Sequence, residues 1–172
     1  MADQIVRPLT MDDASQVLAL YQAVAATPLS GLARERDEIT MDYVAGFLSR
    51  STKSYTSHGA FKCDLLQGEI HATRIGPKQF AHVLTDLTIA VHPSAQGQGV
   101  GTKLFESMFA AAERLNPKIT RIELIARSGN LGAIRLYKKL GFTQEGCFRG
   151  RVHLPNGIIE DDIPMARSIH KL

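Results

Sequence analysis

The sequence predicts one α/β domain built around a mixed β-sheet, and three observations lead to this expectation. The chain has 172 residues, a length that suits one compact domain over residues 1–172 better than two. Segments of helical periodicity alternate with segments of strand periodicity. The clearest strand pattern leads directly into a glycine-rich loop that opens a helix. The predicted order of elements is β, α, α, β, β, β, α, β, α, β, β, which is typical of an α/β domain.

The N-terminal part predicts a short strand at residues 5–8 and then two helices. Thr10, followed three residues later by Asp13, resembles a capping box, and Thr40 is the expected cap of the second helix. Residues 27–38, between the helices, are predicted to be irregular. The apolar positions expected to face the core are Ala14, Val17, Leu18, Tyr21 and Val24 in the first helix and Tyr43, Val44, Phe47 and Leu48 in the second.

The central part predicts a loop, a hairpin and the clearest strand of the chain. Residues 49–58 are polar and predict the loop. Strands over residues 61–66 and 69–75 are expected to meet at a turn formed by Gln67 and Gly68. A strand over residues 83–91 follows, and side chains alternate between the two faces of a strand. Its more polar face should therefore carry Leu84, Asp86, Thr88 and Ala90, and its other face Val83, Thr85, Leu87, Ile89 and Val91.

The C-terminal part completes the predicted sheet. Asn130 is a suitable N-cap for a helix that runs to Leu140, and Gly141 lies where a glycine commonly follows a helix. The other predicted elements are a helix over residues 100–115, a strand over 119–126, and a closing hairpin of residues 142–154 and 158–166 around a Pro-Asn-Gly turn.

Composition excludes several classes of protein. The 44% hydrophobic share and net charge of +3 are ordinary for a globular domain, and no apolar run approaches the ~20 residues of a membrane span. The basic residues are scattered without interleaved aromatics, so we expect no nucleic-acid partner. Cys63 and Cys147 form no metal-like pattern, and we expect two small buried hydrophobes in a reducing compartment. No signal peptide is evident at the N-terminus, and we expect a cytoplasmic protein without a metal or a membrane partner.

The loop before the third helix carries the most informative pattern. Glycines that follow a strand and open a helix let the backbone approach a phosphate, and free N–H groups at the helix N-terminus attract an anion. The pattern lacks the Gly-Lys-Ser/Thr order of a P-loop and fits the dinucleotide fingerprint poorly. A simple turn remains the alternative on this loop alone. The residues expected to bind a diphosphate are Gln96, Gly97, Gln98, Gly99, Val100, Gly101 and Thr102.

Two motifs resemble those of a known family. Gln96-x-x-Gly99-x-Gly101 resembles the acetyl-CoA signature Q/R-x-x-G-x-G/A of the GNAT superfamily of N-acetyltransferases. Residues 130–142 are similar to its second motif, N-x-x-A-x-x-x-Y-x-x-x-G-F. Residues 145–165 resemble the bacterial branch that acetylates small amines and amino acids. The resemblance implies a mixed, mainly antiparallel sheet flanked by about four helices, with strands 4 and 5 splayed around the cofactor.

The resemblance also implies a reaction. Such an enzyme transfers the acetyl group of acetyl-CoA to a primary amine of a small molecule, such as an amino acid, by direct attack in a ternary complex. The backbone of Ile89, Ala90 and Val91 would pair with the pantetheine arm, near Asn130 and Ala133. Acetyl-CoA is then a co-substrate, and no metal is needed.

Two side chains are candidates for proton transfer. Tyr137 matches the position of the family's general acid for the CoA thiolate, whereas the alternative is an aromatic anchor in the core. Asp86 is the candidate base for the amine, and the alternative is a structural carboxylate that accepts N–H bonds.

The acceptor site is expected between the N-terminal helices and the closing hairpin. Arg34 is a candidate clamp for a substrate carboxylate, and Asp37 and Glu38 are candidates to hold an ammonium group. A solvated charged loop is the alternative for these three residues. His71 either faces the cleft or is buried and hydrogen-bonded.

The sequence leaves the acceptor open. A protein N-terminus is an alternative to a small molecule, and a non-catalytic acyl-CoA-binding sensor is an alternative to an enzyme. A homodimer is compatible with the sequence but is not indicated by any motif.

Overall fold

A computed structural model describes residues 4–28, 30–50 and 55–169 of the chain. Within these residues, eight strands form one sheet and four α-helices pack on it, together with short 3-10 turns. The elements in chain order are β1 Ile5–Pro8, α1 Ala14–Ala25, α2 Met41–Leu48, β2 Tyr55–Lys62, β3 Leu65–Arg74, β4 Val83–Val91, α3 Val100–Ala112, β5 Arg121–Arg127, α4 Leu131–Lys139, β6 Thr143–Gln144, β7 Phe148–His153 and β8 Ile159–Ser168.

The sheet is mixed and mainly antiparallel, as the resemblance implies. Its strand order is β1-β2-β3-β4-β5-β8-β6, and β7 also pairs with β8. Strands β4 and β5 form the parallel pair, and they pair only through Val83 with Arg121 and Leu84 with Ile122. Beyond these two pairs, no described residue of β4 pairs with a residue of β5, so the sheet is open between the two strands.

Helices cover both faces of the sheet. On one face, α1 and α2 bury their apolar positions in a core with Tyr55, Phe61 and Leu66 of the hairpin strands. On the other face, α3 packs its apolar side, including Leu104, Phe105 and Met108, over the central strands. The burial of these apolar faces matches the periodicity of the sequence.

Capping side chains define where the helices begin. The backbone N–H of Thr10 donates to the Asp13 carboxylate at 2.9 Å, and Arg7 binds the same carboxylate through two nitrogens at 2.8 and 2.7 Å. The predicted capping box is therefore confirmed, although a 3-10 turn, Met11–Asp13, precedes α1. The Thr40 hydroxyl oxygen accepts a hydrogen bond from the backbone N–H of Tyr43 at 3.2 Å, which confirms the predicted start of α2.

The predicted turn of the β2–β3 hairpin is wrong. The turn residues are Cys63 and Asp64, both with positive φ (49° and 61°), as a tight two-residue hairpin turn requires. Gly68 instead lies inside β3. A Cβ atom there would stand 3.0 Å from Val100 and 3.1 Å from Leu104, so this glycine allows α3 to pack closely on the sheet.

Three further expectations are corrected. Residues 55–58, predicted as the end of a loop, form the buried start of β2, and residues 51–54 of that loop lie outside the described residues. The predicted strand 142–154 is divided into β6 and β7, separated by residues 145–147. Cys63 and Cys147 are both exposed rather than buried, because Cys63 lies in the β2–β3 turn and Cys147 in the segment between β6 and β7, outside the strands.

None of the described helices combines the length and the apolar character that a membrane span requires.

Candidate active site

The opening between β4 and β5 forms a cavity of about 800 Å³. Helix α4 reaches it from one face of the sheet and the segment between α1 and α2 from the other. Its walls come from strands and helices of both halves of the sheet. They include Thr85, Asp86, Leu87, Thr88 and Ile89 of β4, Arg121, Glu123, Leu124 and Ile125 of β5, Tyr137 of α4, and Leu32, Arg34, Glu38, Ile39, Tyr43 and Phe47 of the N-terminal segment.

A bulge in β4 shapes the cavity wall. Thr85 pairs with Thr73 of β3 and Thr88 pairs with His71, so β4 has one more residue than β3 in this interval. Asp86, at the bulge, has a φ of 49° and is exposed. The prediction of strict alternation is therefore wrong before the bulge, since an inserted residue reverses the faces of all side chains on one side of it. Thr85 lies on the same face as Thr88.

The glycine-rich loop has the geometry of an anion site. Gly97 and Gly99 have φ values of 74° and 81°, and a Cβ atom at either position would meet nothing within 4 Å. Gly99 is the N-cap of α3, so the first-turn N–H groups of this helix have no partner within it. Such N–H groups at a helix N-terminus attract an anion, and the open space beside them leaves the backbone accessible.

Side chains of the same loop hold its shape. Gln98 Nε2 donates to the Ser94 carbonyl at 2.7 Å, and Gln96 Nε2 donates to the Val91 carbonyl at 3.3 Å. Gln96 thus fixes the loop to the end of β4, and Gln98 fixes it to the 3-10 turn Pro93–Ala95 that follows the strand. Gly101 has a different surrounding, because its Cβ would stand 3.0 Å from Leu136 of α4. Val100 is buried and Thr102 half-buried.

The strand residues proposed for the pantetheine arm flank the opening. Ile89 lines the cavity, Ala90 is buried against the core under α1, and Val91 is half-buried. Beyond Leu84, the β5-facing edge of β4 pairs with no strand among the described residues. This free backbone edge is available to an extended ligand.

Tyr137 lies in the cavity wall and in the aromatic core at the same time. Its ring centroid is 5.7 Å from Phe105 and 6.0 Å from Phe142. Its burial raises the pKa of the phenol to about 12, so Tyr137 stays protonated at neutral pH. In the same helix, the Asn130 side chain accepts a hydrogen bond from the backbone N–H of Ala133 at 3.1 Å, which confirms its role as N-cap.

The predicted acceptor residues separate in the structure. The Arg34 guanidinium lies 4.5 Å from the centroid of the Tyr43 ring, and Arg34 lines the cavity with Glu38. The Glu38 carboxylate also accepts a hydrogen bond from the backbone N–H of Glu35 at 2.9 Å. Asp37 is exposed and lies outside the cavity wall.

His71 satisfies both of the alternatives considered for it. It lines the cavity, and it is also buried, with Nδ1 at 3.1 Å from each carboxylate oxygen of Glu69. Glu69 was not among the residues predicted from the sequence, and neither was Arg50, whose Nη1 donates to Thr73 Oγ1 at 3.1 Å beside the cavity. Strand periodicity could have found Glu69, because it lies two residues before His71 and shares its face.

Two contacts fix the segment between α1 and α2 over the cavity. Arg127 of β5 donates a hydrogen bond to the Leu32 carbonyl, and Gln22 of α1 donates to the Ile39 carbonyl at 3.1 Å. Both Leu32 and Ile39 are buried. Elsewhere in the cavity wall Arg121 is paired with Glu123 and Glu145. The described part of the chain places no three His, Cys, Asp or Glu side chains where they could hold a metal ion.

Solved structures share this fold. An acetyltransferase of the GNAT family from Streptococcus pneumoniae superposes with a TM-score of 0.82 at 21% identity, over 96% of this chain and 99% of that one. The Salmonella typhimurium protein yncA, solved with its cofactor acetyl-CoA, has a TM-score of 0.83 at 20% identity, over 98% and 95% of the two chains. The ribosomal-protein-S18-alanine N-acetyltransferase of Escherichia coli has a TM-score of 0.78 at 22% identity, over 99% and 96%.

The sequence itself matches one family. Residues 31–142 match the model of the Acetyltransferase (GNAT) family. The match includes the glycine-rich loop, both strands of the opening and helix α4. Since it covers more than half of the chain, the protein belongs to the GNAT family of acetyltransferases.

Proposed function

We propose that this protein acetylates the primary amine of a small zwitterion, such as an amino acid, with acetyl-CoA as the second substrate in a ternary complex. The observation that carries the proposal is the distribution of charge around the cavity. Arg34 and Arg50 both border it, and neither has a carboxylate within 4 Å among the described residues. A guanidinium in such a position favours a ligand carboxylate.

The donor side of the cavity supports the use of acetyl-CoA. The N–H groups at the start of α3 are available to the diphosphate, and the free edge of β4 is available to the pantetheine arm. Bound acetyl-CoA supplies a thioester as the acetyl donor. Tyr137 borders the same cavity with a protonated hydroxyl, so it can donate that proton to the thiol sulfur that leaves.

The acceptor side supports a compact substrate. The wall formed by residues 31–39 is held at Leu32 and Ile39 by hydrogen bonds to β5 and α1, and both side chains are buried in the core. A fixed wall of this kind suits a small molecule that is enclosed on binding. Arg34 and Arg50 extend from this wall and from the end of α2, where they can contact the carboxylate while the amine points toward β4.

The reducing cytoplasm is the compartment we propose for the protein. Cys63 and Cys147 are exposed free thiols, and such thiols persist unpaired in a reducing environment.

An acetylation assay with a panel of amines tests the substrate class. The panel contains free amino acids, their amides and peptides that begin with a free amine, and the readout is released CoA. We expect a clearly higher acetylation rate with an amino acid than with its own amide, because the amide leaves the guanidinium groups without a charged partner. Activity on peptides alone would indicate a protein N-terminus as acceptor. Acetyl-CoA binding without turnover on any amine would indicate a sensor.

A pair of variants tests the carboxylate clamp. Arg34→Lys should raise the KM for the amino acid by about tenfold, since lysine cannot reproduce a two-pronged contact. Arg36→Lys is the matched control, because Arg36 is exposed on the same segment but does not line the cavity. An equal KM for both variants would mean that Arg34 does not bind the acceptor.

A further inference from the structure

A buried carboxylate lies directly behind the acceptor side of the cavity. Glu69 of β3 is 0% exposed. Its Oε2 accepts a hydrogen bond from the Tyr21 hydroxyl at 2.6 Å, and its Oε1 accepts one from Ser57 Oγ at 3.1 Å. Burial and the neighbouring Glu69 raise the pKa of the Tyr21 phenol well above its usual range, so Tyr21 remains a donor. A buried charge is costly unless it is paired and hydrogen-bonded, and these hydrogen bonds offset that cost for Glu69.

The third partner of Glu69 is the imidazole of His71. Because an ionised carboxylate only accepts hydrogen bonds, Nδ1 of the ring must carry the proton that points at Glu69. Nε2 of the neutral ring therefore has a free lone pair. This nitrogen makes no hydrogen bond to any described residue. A carboxylate that fixes the tautomer of an imidazole is the arrangement that general bases use.

Aromatic packing fixes the plane of the His71 ring. The ring stacks on Phe47 with a centroid distance of 4.4 Å and an interplanar angle of 25°. Tyr55 packs against it at 5.5 Å and 32°. The imidazole is thus held by its Nδ1 bond and by two rings, and it lines the cavity in this fixed orientation.

The sheet register places His71 beside the bulge of β4. His71 pairs with Thr88, and directly paired residues of antiparallel strands lie on the same face of the sheet. The ring therefore lies on the α1–α2 face, where Arg34 and Arg50 border the acceptor side of the cavity. Asp86, the base considered from the sequence, lies at the bulge itself, is exposed, and takes part in no described hydrogen bond or ion pair.

We infer that His71, oriented by Glu69, is the general base that removes the proton from the acceptor ammonium. The inference rests on the proposed function. The ammonium N–H bond breaks and its proton moves to Nε2 of His71. The freed nitrogen lone pair then forms the C–N bond to the acetyl carbon while the C–S bond breaks, and the thiol sulfur takes a proton from Tyr137. The acetylated nitrogen then loses its second proton, which passes through water to the Tyr137 phenolate, and His71 returns its own proton to water.

Several charged or titratable groups surround the ring. Glu69 is on the same strand, Tyr21 on α1, Tyr43 and Arg50 at α2, Tyr55 on β2 and Asp86 on β4. Tyr21, Tyr43 and Tyr55 all have a raised pKa because of burial. Below pH 9 these three phenols therefore stay protonated and uncharged.

The pH dependence of kcat/KM for the best amine tests the base. In His71→Gln we expect a loss of about 10²-fold at neutral pH, and this deficit should shrink as the pH approaches the pKa of the amine, because a neutral amine needs no base. A merely structural role would give a deficit that is the same at every pH. His58→Gln is the matched control, since His58 is buried on β2 with its Nδ1 3.2 Å from Thr56 and does not line the cavity.

Glu69→Gln tests the positioning role and also covers the case in which His71→Gln does not fold. The amide oxygen can still accept from either Tyr21 or Ser57, but the uncharged amide no longer stabilises a protonated ring. We expect a lower kcat and an acid limb of the pH profile that moves to lower pH, with an unchanged Kd for acetyl-CoA by calorimetry. A rate loss with an unmoved acid limb would overturn the role of Glu69.

The remaining outcomes separate the two proposals. If the wild-type protein acetylates an amine but His71→Gln shows no pH-dependent deficit, the base is not His71, and the proposed function stands. A pH-dependent deficit in Asp86→Asn and not in His71→Gln would assign the base to Asp86. If the wild-type protein acetylates no amine in the panel, the proposed function fails before the base is considered.

Discussion

Thr85 and Thr88 lie on the same face of β4 although they are three residues apart in the chain. Each is paired with a residue of β3, Thr85 with Thr73 and Thr88 with His71, and these two partners are only two residues apart. The extra residue in β4 is accommodated by the positive φ of Asp86. The bulge bends the strand where β4 leaves β5, and bulges of this kind often lie beside active sites.

The first prediction concerns the backbone role of Asp86. A φ of 49° is strained for most side chains but tolerated by Asp and Asn. Asp86→Val should therefore lower the free energy of unfolding by about 1–2 kcal/mol, whereas Asp86→Asn should change it by much less. Urea unfolding followed by circular dichroism measures both values.

A substitution at an extended position of the same strand is the control. Thr88→Val places the same β-branched side chain where the backbone is regular, and strands favour such residues. We expect little loss of stability there. Equal destabilisation by Asp86→Asn and Asp86→Val would mean that the carboxylate, and not the backbone conformation, stabilises the bulge.

The second prediction concerns the glycine-rich loop. Gly99 has a φ of 81° and open space at its Cβ position, and it begins the helix whose N–H groups face that space. Gly99→Ala should weaken acetyl-CoA binding by about tenfold or more, equivalent to the loss of one charge-assisted hydrogen bond, because the methyl group keeps the diphosphate away from the backbone. Isothermal titration calorimetry measures the effect.

Gly157 provides a closely matched control. It lies in the β7–β8 turn with a φ of 82° and also has nothing within 4 Å of its Cβ position. Gly157→Ala introduces the same backbone strain away from the cavity, so it should lose similar stability and keep its affinity for acetyl-CoA. An equal Kd for the two variants would contradict a diphosphate site at this loop. Gly101→Val is less informative, because its side chain would also displace Leu136 of α4.

The helices and the order of the main strands followed from local pattern, because capping residues and a 3.6-residue period are properties of neighbouring positions. Thr10, Thr40 and Asn130 each marked a helix start that the structure contains. The β2–β3 turn did not follow in this way. Gln67-Gly68 has the composition of a turn, but Gly68 is required by the close approach of Val100, thirty-two residues later in the chain.

Local sequence patterns likewise predict only part of the candidate site. The glycine-rich loop and Tyr137 belong to short contiguous motifs. In the structure Tyr137 lines the cavity, and the loop follows β4, whose residues 85–89 line it. The Glu69–His71 pair depends on contacts with Tyr21, about fifty residues earlier, and on the rings of Phe47 and Tyr55. Only the pairing of distant strands and helices brings these groups together. The bulge at Asp86 is equally non-local, since it is defined by the register with β3.

The last prediction concerns the proton that the leaving thiol needs. Tyr137→Phe keeps the ring that packs between Phe105 and Phe142 and removes the hydroxyl that can donate the proton. We expect kcat to fall by about 10²-fold, with little change in the melting temperature or in the Kd for acetyl-CoA. Because burial raises the pKa of Tyr137 to about 12, its proton remains in place throughout the assay range. The pH profiles of the wild-type and variant proteins should therefore have the same shape below pH 10 and differ only in height. A basic limb near neutral pH that disappears in Tyr137→Phe would contradict this ionisation state. Unchanged turnover with the best amine would place the acid elsewhere in the cavity wall.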